Sequence, residues 1–313
     1  MSDQKFDFST NAISEPCIAA SRPRLGRAPL WLPAVSLFAG LTFYACLQTA
    51  YGQDKSGVIP FKFTNVHVET NSSACDMGIQ ILFDTEGVTS LKLEQPDGRA
   101  IYNVRTSRGF AKNGGFTEEF LEAVEPQVSD LALANPDCEL DPEETISLEE
   151  LQKRHPPGVY EFEGKSVDGV KSAGTAELTY VLPAGPSILA PTDGDNTVDP
   201  GTPLAINWEP VTTSLLPGLG TDGGDTVNVV GYHLVIKKLD GSMGPQVSPQ
   251  LDIDVPADVT SIQVPDAYLE PSTIYEFEVL ATEEGGNQTI TEGLVFCTTD
   301  SGGSNPIDPC DVP

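Results

Sequence analysis

Apolar and polar residues alternate in short stretches along most of the chain. In Leu204–Trp208 ("LAINW") every second residue is apolar, and Tyr232–Ile236 and Leu251–Val255 repeat the pattern. Such alternation places one row of side chains in a core and the other in solvent, as in a half-buried strand. Residues that favour turns separate the stretches at short intervals, and this spacing is typical of all-β sandwiches.

The tetrapeptide Tyr-Glu-Phe-Glu occurs twice, at Tyr160–Glu163 and at Tyr275–Glu278. In a strand, the Tyr and Phe side chains of each copy point to one face and the Glu side chains to the other. Each copy is followed by an acidic, glycine-containing turn and a return segment that contains threonine. We interpret the two copies as equivalent core strands of two related sandwiches.

The Pro- and Gly-containing segment Val181–Pro191 separates two strand-rich regions and predicts a short, stiff joint. We therefore expect an all-β chain with two tandem β-sandwich domains. The predicted organisation is a leader over residues 1–52, a first domain over 53–184, a second over 185–299 and a tail over 300–313.

The second region resembles a fibronectin type III domain over about 187–299. Trp208 ends its second strand, Tyr232 opens its third, and Leu269–Ala281 matches the tyrosine-corner segment of that family in every alternate position. In the family, the corner tyrosine turns its hydroxyl to the preceding loop and its ring joins the core tryptophan. The resemblance thus implies structural roles for Trp208, Tyr232, Leu269, Pro271, Tyr275 and Phe277. The departure from the family is the long, Gly-rich segment Pro210–Asn228.

The first region looks immunoglobulin-like, and two short helices are predicted to interrupt it. Phe116–Pro126 has Thr117 as a candidate N-cap and acidic residues in the first turn. Ile146–Pro156 has Ser147 followed three residues later by Glu150, which is a capping box. We expect both helices to cover an open end or face of the first sandwich.

The first fifty residues differ from the rest. Three arginines precede the apolar stretch Ala28–Ala50, and a small–x–small site follows at Ala50–Gly52. This pattern predicts an export signal cleaved before Gln53, with an uncleaved membrane anchor as the alternative. Either arrangement makes the remainder secreted, periplasmic or displayed at the cell surface.

Acidic residues outnumber basic ones by 46 to 17, which gives a formal charge of −29. A surface of that charge repels nucleic-acid phosphates and anionic lipid headgroups, so we expect neither as a partner. The excess of acids indicates solubility or, alternatively, binding of divalent cations. The expected partner is an unidentified protein or glycan, with membrane association only through an uncleaved anchor.

Four cysteines follow the predicted cleavage site, and an even number in an exported chain indicates disulfides. Three connectivities are possible. We expect one bond within each half of the chain: Cys75–Cys138 and Cys297–Cys310.

The segment Glu139–Leu151 resembles the close of a calcium-binding loop. Its candidate ligands are Glu139, Asp141, Glu143 and Glu150. Glu144 occupies the slot that requires glycine, and a capped helix explains the same residues without metal. We likewise interpret Asp193–Asn196 as a polar turn. No metal or cofactor is therefore expected.

These features predict an exported, non-enzymatic binding or structural protein. Pro210–Asn228 is either a recognition loop or an insertion without a role. One alternative function is a calcium-stabilised surface or adhesion protein. The other is an accessory carbohydrate-processing enzyme with its site between the helices and sheet of the first domain. Its carboxylates would be Glu118, Glu119, Glu149 and Glu150.

Overall fold

The computed structural model describes residues 57–192, 197–239 and 250–299. The predicted leader and tail and the predicted turn at Asp193–Asn196 lie outside these ranges, and Gly52–Pro313 forms one compact unit. No helix among the described residues is long and apolar enough to cross a bilayer.

Ten strands build the first sandwich, which has one five-stranded sheet in the order β1-β10-β9-β4-β5. Strands β2, β3 and β6 form the opposing layer. The strands are β1 (Ile59–Pro60), β2 (Phe63–Asn71), β3 (Asp76–Val88), β4 (Ser90–Glu94), β5 (Ala100–Arg105), β6 (Phe116–Glu122), β7 (Gln127–Val128), β8 (Thr145–Ile146), β9 (Gly158–Lys165) and β10 (Lys171–Leu178). The first core lies between the two layers and includes Phe83, Phe162 and Leu93.

Nine strands among the described residues belong to the second sandwich, which pairs a three-stranded sheet, β11-β13-β16, with a layer around β14, β17 and β19. The strands are β11 (Ile188–Ala190), β12 (Thr197–Val198), β13 (Ala205–Trp208), β14 (Val229–Lys238), β15 (Gln250–Pro256), β16 (Ser261–Gln263), β17 (Ile274–Glu283), β18 (Gln288–Glu292) and β19 (Phe296–Thr298). Its core is separate from the first. The predicted all-β class with sandwich-like sheets is confirmed.

The two Tyr-Glu-Phe-Glu segments lie on β9 and β17, with Tyr and Phe buried in each. Tyr275 accepts a hydrogen bond from the Glu270 amide (2.8 Å) and donates to the Tyr268 carbonyl (3.3 Å). Tyr160 similarly donates to the Pro156 carbonyl, four residues before it (3.1 Å). Both sandwiches therefore fix the loop before this strand with a tyrosine hydroxyl.

The remaining residues implied by the resemblance line the second core or its edge. The Trp208 and Tyr232 rings are both buried, with centroids 5.4 Å apart, and the Tyr232 hydroxyl accepts from the Val211 amide. Phe277 and Leu269 are buried in the same core. Pro271 is exposed, so it shapes the turn before β17 rather than filling the core.

The predicted helix over Phe116–Pro126 is wrong, because residues 116–122 form β6. Strand β3 is thirteen residues long, and its edge supplies hydrogen-bond partners to this segment, with Leu121 opposite Ile81. Leu121 packs against the first core, whereas Phe120 points outward and is about half exposed. Pairing at the β3 edge thus outweighs the local helix signals.

The second predicted helix is confirmed as α2 (Leu148–Arg154). The Ser147 hydroxyl accepts from the Glu150 amide, as an N-cap does, and buried Leu151 anchors the helix on the first core. The Glu150 carboxylate pairs with Arg154. A further helix that the pattern does not predict, α1 (Arg108–Lys112), follows β5.

We expect Tyr160→Phe to lower the free energy of unfolding by about 1 kcal/mol and Tyr275→Phe by about 2 kcal/mol, because the first removes one hydrogen bond to a loop and the second removes two, while both keep the buried ring. Chemical denaturation of the single and double variants measures this. The two sites lie in separate cores, so the losses should add. Unchanged midpoints in both single variants would contradict equivalent roles for the two hydroxyls.

Candidate functional site

The two sandwiches share one sheet. Strand β18 of the second runs parallel to β2 of the first, with Thr289 opposite Thr70 and Ile290 opposite Asn71. The Ser72 amide extends the pairing by donating to the Ile290 carbonyl (2.9 Å). The largest sheet therefore continues across both sandwiches, which restricts hinge motion between them.

Asn287 joins three segments at this junction through one buried side chain. Its Oδ1 accepts from the Val68 amide of β2 (2.8 Å). Its Nδ2 donates to the Thr179 hydroxyl (2.8 Å) and to the Val181 carbonyl (2.9 Å). Because a buried amide without partners is costly, these bonds hold β2, the end of the first sandwich and β18 in a single arrangement.

The segment Pro210–Asn228, here called the junction loop, binds the chain that connects the sandwiches. The Leu182 amide donates to the Leu219 carbonyl (3.0 Å), and the Leu215 amide donates to the Leu182 carbonyl (2.9 Å). The Ala184 amide donates to Thr213 in the same way (2.9 Å). The connecting segment is thus held along its length by backbone pairing.

Leucines of the junction loop complete the core of the first sandwich. Leu216 is buried in that core, and Leu215 and Leu219 pack against it. This contribution to the first core differs from both roles expected for the loop, recognition and an insertion without a role. The longest exposed run of the loop is residues 221–226, so this run is the part of the loop most open to a partner.

Three carboxylates converge beside the junction. Strand β3 pairs with both β2 and β6, which brings Glu69, opposite Gly78, near Glu122, opposite Gln80. The carboxylate oxygens of Glu69, Glu122 and Glu125 lie within 4.8 Å of one another. Glu125 lies over Gly78, where any Cβ would collide with it.

The surroundings of this carboxylate cluster raise the pKa of its members. Burial, followed by the charges of Glu122 and Glu278, raises the pKa of Glu69 to about 7. Burial, followed by the charges of Asp76 and Glu69, raises the pKa of Glu125 to about 7. Burial also raises the pKa of Asp76. The cluster can therefore take up protons near neutral pH, and its oxygen donors are of the kind that hard divalent cations prefer.

The four calcium ligands considered from the sequence do not join that cluster, which is the one group of potential metal ligands found among the described residues. Asp141 Oδ1 accepts from the Glu143 amide, which forms a local turn (2.9 Å). Glu139, Asp141 and Glu143 are exposed, and the Glu150 carboxylate pairs with Arg154 (3.1 Å). These residues therefore serve a local turn, the exposed surface and an ion pair on α2.

The carboxylates of the enzyme alternative are also separated. Glu118 is exposed on β6, and Glu119 accepts from the Tyr102 hydroxyl (2.7 Å). Glu149 and Glu150 on α2 pair with Lys153 and Arg154. Because residues 116–122 form a strand, the cleft between two helices and the sheet that this alternative requires is not formed by these segments.

The structure joins Cys75 and Cys138 in a disulfide, with their Cα atoms 6.0 Å apart. Cys75 follows β2, and Cys138 lies in the long connection between β7 and β8, so the bond ties that connection to the sheet. Cys297 is disulfide-bonded and buried on β19. Cys310 lies outside the described residues, so its pairing with Cys297 stays a prediction.

We expect Leu216→Ala to lower the free energy of unfolding by about 3 kcal/mol, because it opens a cavity in the first core. Leu133→Ala, at an exposed position of the first sandwich, is the matched control with a change below about 0.5 kcal/mol. Thermal and chemical denaturation measure both variants. If Leu216→Ala destabilised the chain no more than Leu133→Ala does, the junction loop would not be part of the first core.

The carboxylate cluster predicts a specific pH dependence. Glu69 and Glu125 hold protons up to a pKa of about 7 in the folded chain, against 4.5 ordinarily, so acidification through that window favours folding. Glu125→Gln should raise stability by about 2 kcal/mol at about pH 8 and flatten the profile down to about pH 5. Thermal unfolding of this variant and of Glu118→Gln, a control on the exposed face of β6, measures the effect.

If the stability of Glu125→Gln varied with pH in parallel with that of the unsubstituted chain, the raised pKa of Glu125 would be refuted, together with the burial and neighbouring charges that cause it. Calcium added at the alkaline end separates two properties of the cluster. If calcium stabilises the unsubstituted chain but not Glu125→Gln, the cluster binds cations. If calcium stabilises neither, the cluster takes up protons alone.

No protein-family model matches the chain, and the comparison with curated proteins returns no match. Solved structures similar to it include the FN1-FN3 domains of chicken CNTN1, at 9% identity and a TM-score of 0.30. A bacterial ice-binding adhesin of 1.5 MDa is 13% identical, with a TM-score of 0.23. In both, the match covers 78% of this chain and 65% of the other. A myokine is 19% identical over 38% of this chain and 96% of its own, with a TM-score of 0.24. The sandwich fold rests on the strand pairing of the chain itself.

Proposed function

We propose that the chain is an exported, non-enzymatic binding or structural protein in which an immunoglobulin-like domain and a fibronectin type III domain act as one rigid body. The observation that carries the proposal is the junction, where a shared sheet, the buried Asn287 and the leucines of the junction loop join the two sandwiches. A flexible linker would leave the two domains to bind independently, whereas this junction fixes the distance between surfaces at opposite ends.

Two further observations support the individual parts of the proposal. The tyrosine corner at Tyr275 and the packed pair Trp208 and Tyr232 agree with the fibronectin resemblance. The Cys75–Cys138 disulfide agrees with an oxidising compartment, since cytosolic proteins keep such thiols reduced. The leucines of the junction loop pack in or against the first core, so other exposed ends of the sandwiches are the better binding surfaces.

The direct test of the binding role uses immobilised Gln53–Pro313 as bait in the extracellular fluid of the native source. Specific capture of a protein or glycan supports the role. Capture of nothing beyond the beads-only control, together with hydrolytic activity in the purified chain, would replace it with the enzyme alternative.

Export predicts that Cys75 and Cys138 are oxidised in the native protein and resist alkylation until a reductant is added. The bond closes a separation of 63 residues, so Cys75→Ser with Cys138→Ser should lower the free energy of unfolding by about 4 kcal/mol. Mass spectrometry after differential alkylation, followed by denaturation of the variant, checks both points. Free thiols in the native protein would contradict the proposed location.

A further inference from the structure

One end of the first sandwich gathers the start of the described chain and three strand connections. Ile59 enters beside Ser172 at the start of β10. The Thr89 amide donates to the Lys165 carbonyl (2.7 Å), and the Thr106 amide donates to the Thr89 carbonyl (2.8 Å). The β3–β4, β5–β6 and β9–β10 connections therefore meet at this place, which we call the entry end.

The unpaired positive charges of the first sandwich lie at the entry end. Residues 57–184 contain ten basic residues, of which five form ion pairs. The other five form no ion pair within the described part of the chain. They are Arg105, Arg108, Lys112, Lys165 and Lys171, and all five are exposed.

Three of these cations form a row on the outer face of the five-stranded sheet. Lys171 lies opposite Lys165, and Ser90 lies opposite both Lys165 and Arg105. At about 4.8 Å between strands, the row spans about 14 Å across β10, β9, β4 and β5. Acidic side chains also lie nearby: Glu163 shares the outer face of β9 with Lys165, and Asp168 lies in the β9–β10 hairpin. Asp84 and Glu86 pair with Lys62.

Exposed apolar side chains stand between these cations. Phe110, on α1 between Arg108 and Lys112, is 58% exposed. Val167 and Val170, in the hairpin between Lys165 and Lys171, are 55% and 38% exposed. Two connections thus present the same arrangement of an apolar tip with a cation on each side, which suits an interface between hydrocarbon and anionic headgroups.

The entry end and the second sandwich lie at opposite ends of the first sandwich. The described chain begins at the entry end. The second sandwich joins at the opposite end, where β18 pairs with residues 69–71 of β2. Residues 185–299 carry 17 acidic and two basic residues, against 22 acidic and ten basic in residues 57–184, so the second sandwich has the larger excess of negative charge.

The overall charge of −29 argues against binding of anionic lipid only if the negative charges lie close to the lipid-contacting surface. From Phe63 to Glu69, β2 extends about 20 Å, whereas the Debye length at physiological salt is about 8 Å. The acidic second sandwich is thus screened from a surface that touches the entry end.

We propose that the entry end docks on a membrane surface with anionic headgroups. The five cations contact lipid phosphates, and Phe110, Val167 and Val170 enter the headgroup layer. The inference rests on the exported location of the proposed function and adds a surface on which the rigid body stands. Vesicle binding is measured without any captured ligand, so its failure leaves the junction and the binding role untouched.

The test is co-sedimentation of Gln53–Pro313, which forms a compact unit without the leader, with vesicles of equal parts phosphatidylglycerol and phosphatidylcholine. We expect binding at ionic strength about 0.05 M that is lost at about 0.5 M, and none to phosphatidylcholine alone. Lys165→Ala with Lys171→Ala should weaken binding about 30-fold. Phe110→Ser should weaken it about tenfold.

Lys153→Ala with Arg154→Ala is the matched control, because it removes two exposed basic side chains from α2 and should leave binding unchanged. Unaltered thermal midpoints in all variants exclude misfolding. Failure to sediment with the anionic vesicles would overturn the proposal. Equal losses in the control and entry-end variants would also overturn it, as would salt-dependent binding to an acidic polysaccharide or a second copy of the chain without vesicle binding.

Discussion

The pairing of β2 with β18 is the interaction on which the remaining architecture depends. It converts two sandwiches with separate cores into one sheet-linked body. The buried side-chain amide of Asn287 keeps its hydrogen bonds only while β2 and Val181 stay in position. Leu216 stays in the first core only while the connecting segment remains paired with the junction loop. Each contact therefore presupposes the others, and the junction acts as a cooperative unit.

The same geometry separates the charges of the molecule. The carboxylate cluster lies at the junction because β3 places Glu69 and Glu122 on its two flanks. The unpaired cations collect at the other end of the first sandwich, where the strand connections meet. A net charge averages over these regions, so it describes solubility but not the partner of either end.

The strands with alternating residues and the N-cap of α2 could be predicted from local sequence patterns, because those features depend on neighbours in sequence. Alternation alone places Tyr160 and Phe162 inward, and Ser147 with Glu150 marks a helix start. The strand over residues 116–122 could not be predicted in this way, because its partner is the distant edge of β3. The leucines of the junction loop and the convergence of Glu69 with Glu125 depend likewise on contacts far apart in sequence. One clue was available: the loop carries three leucines where a solvated insertion would be polar.

Native-state hydrogen exchange measures whether the two sandwiches unfold as one body. The amides of Val68 and Ser72 donate to Asn287 and Ile290 across the junction, so they report its opening. If the junction opens only when the whole chain unfolds, we expect these amides to exchange with the same free energy as amides buried in β9 and β17. Exchange at Val68 and Ser72 with a free energy several kcal/mol below that of both cores would instead show two domains that separate freely.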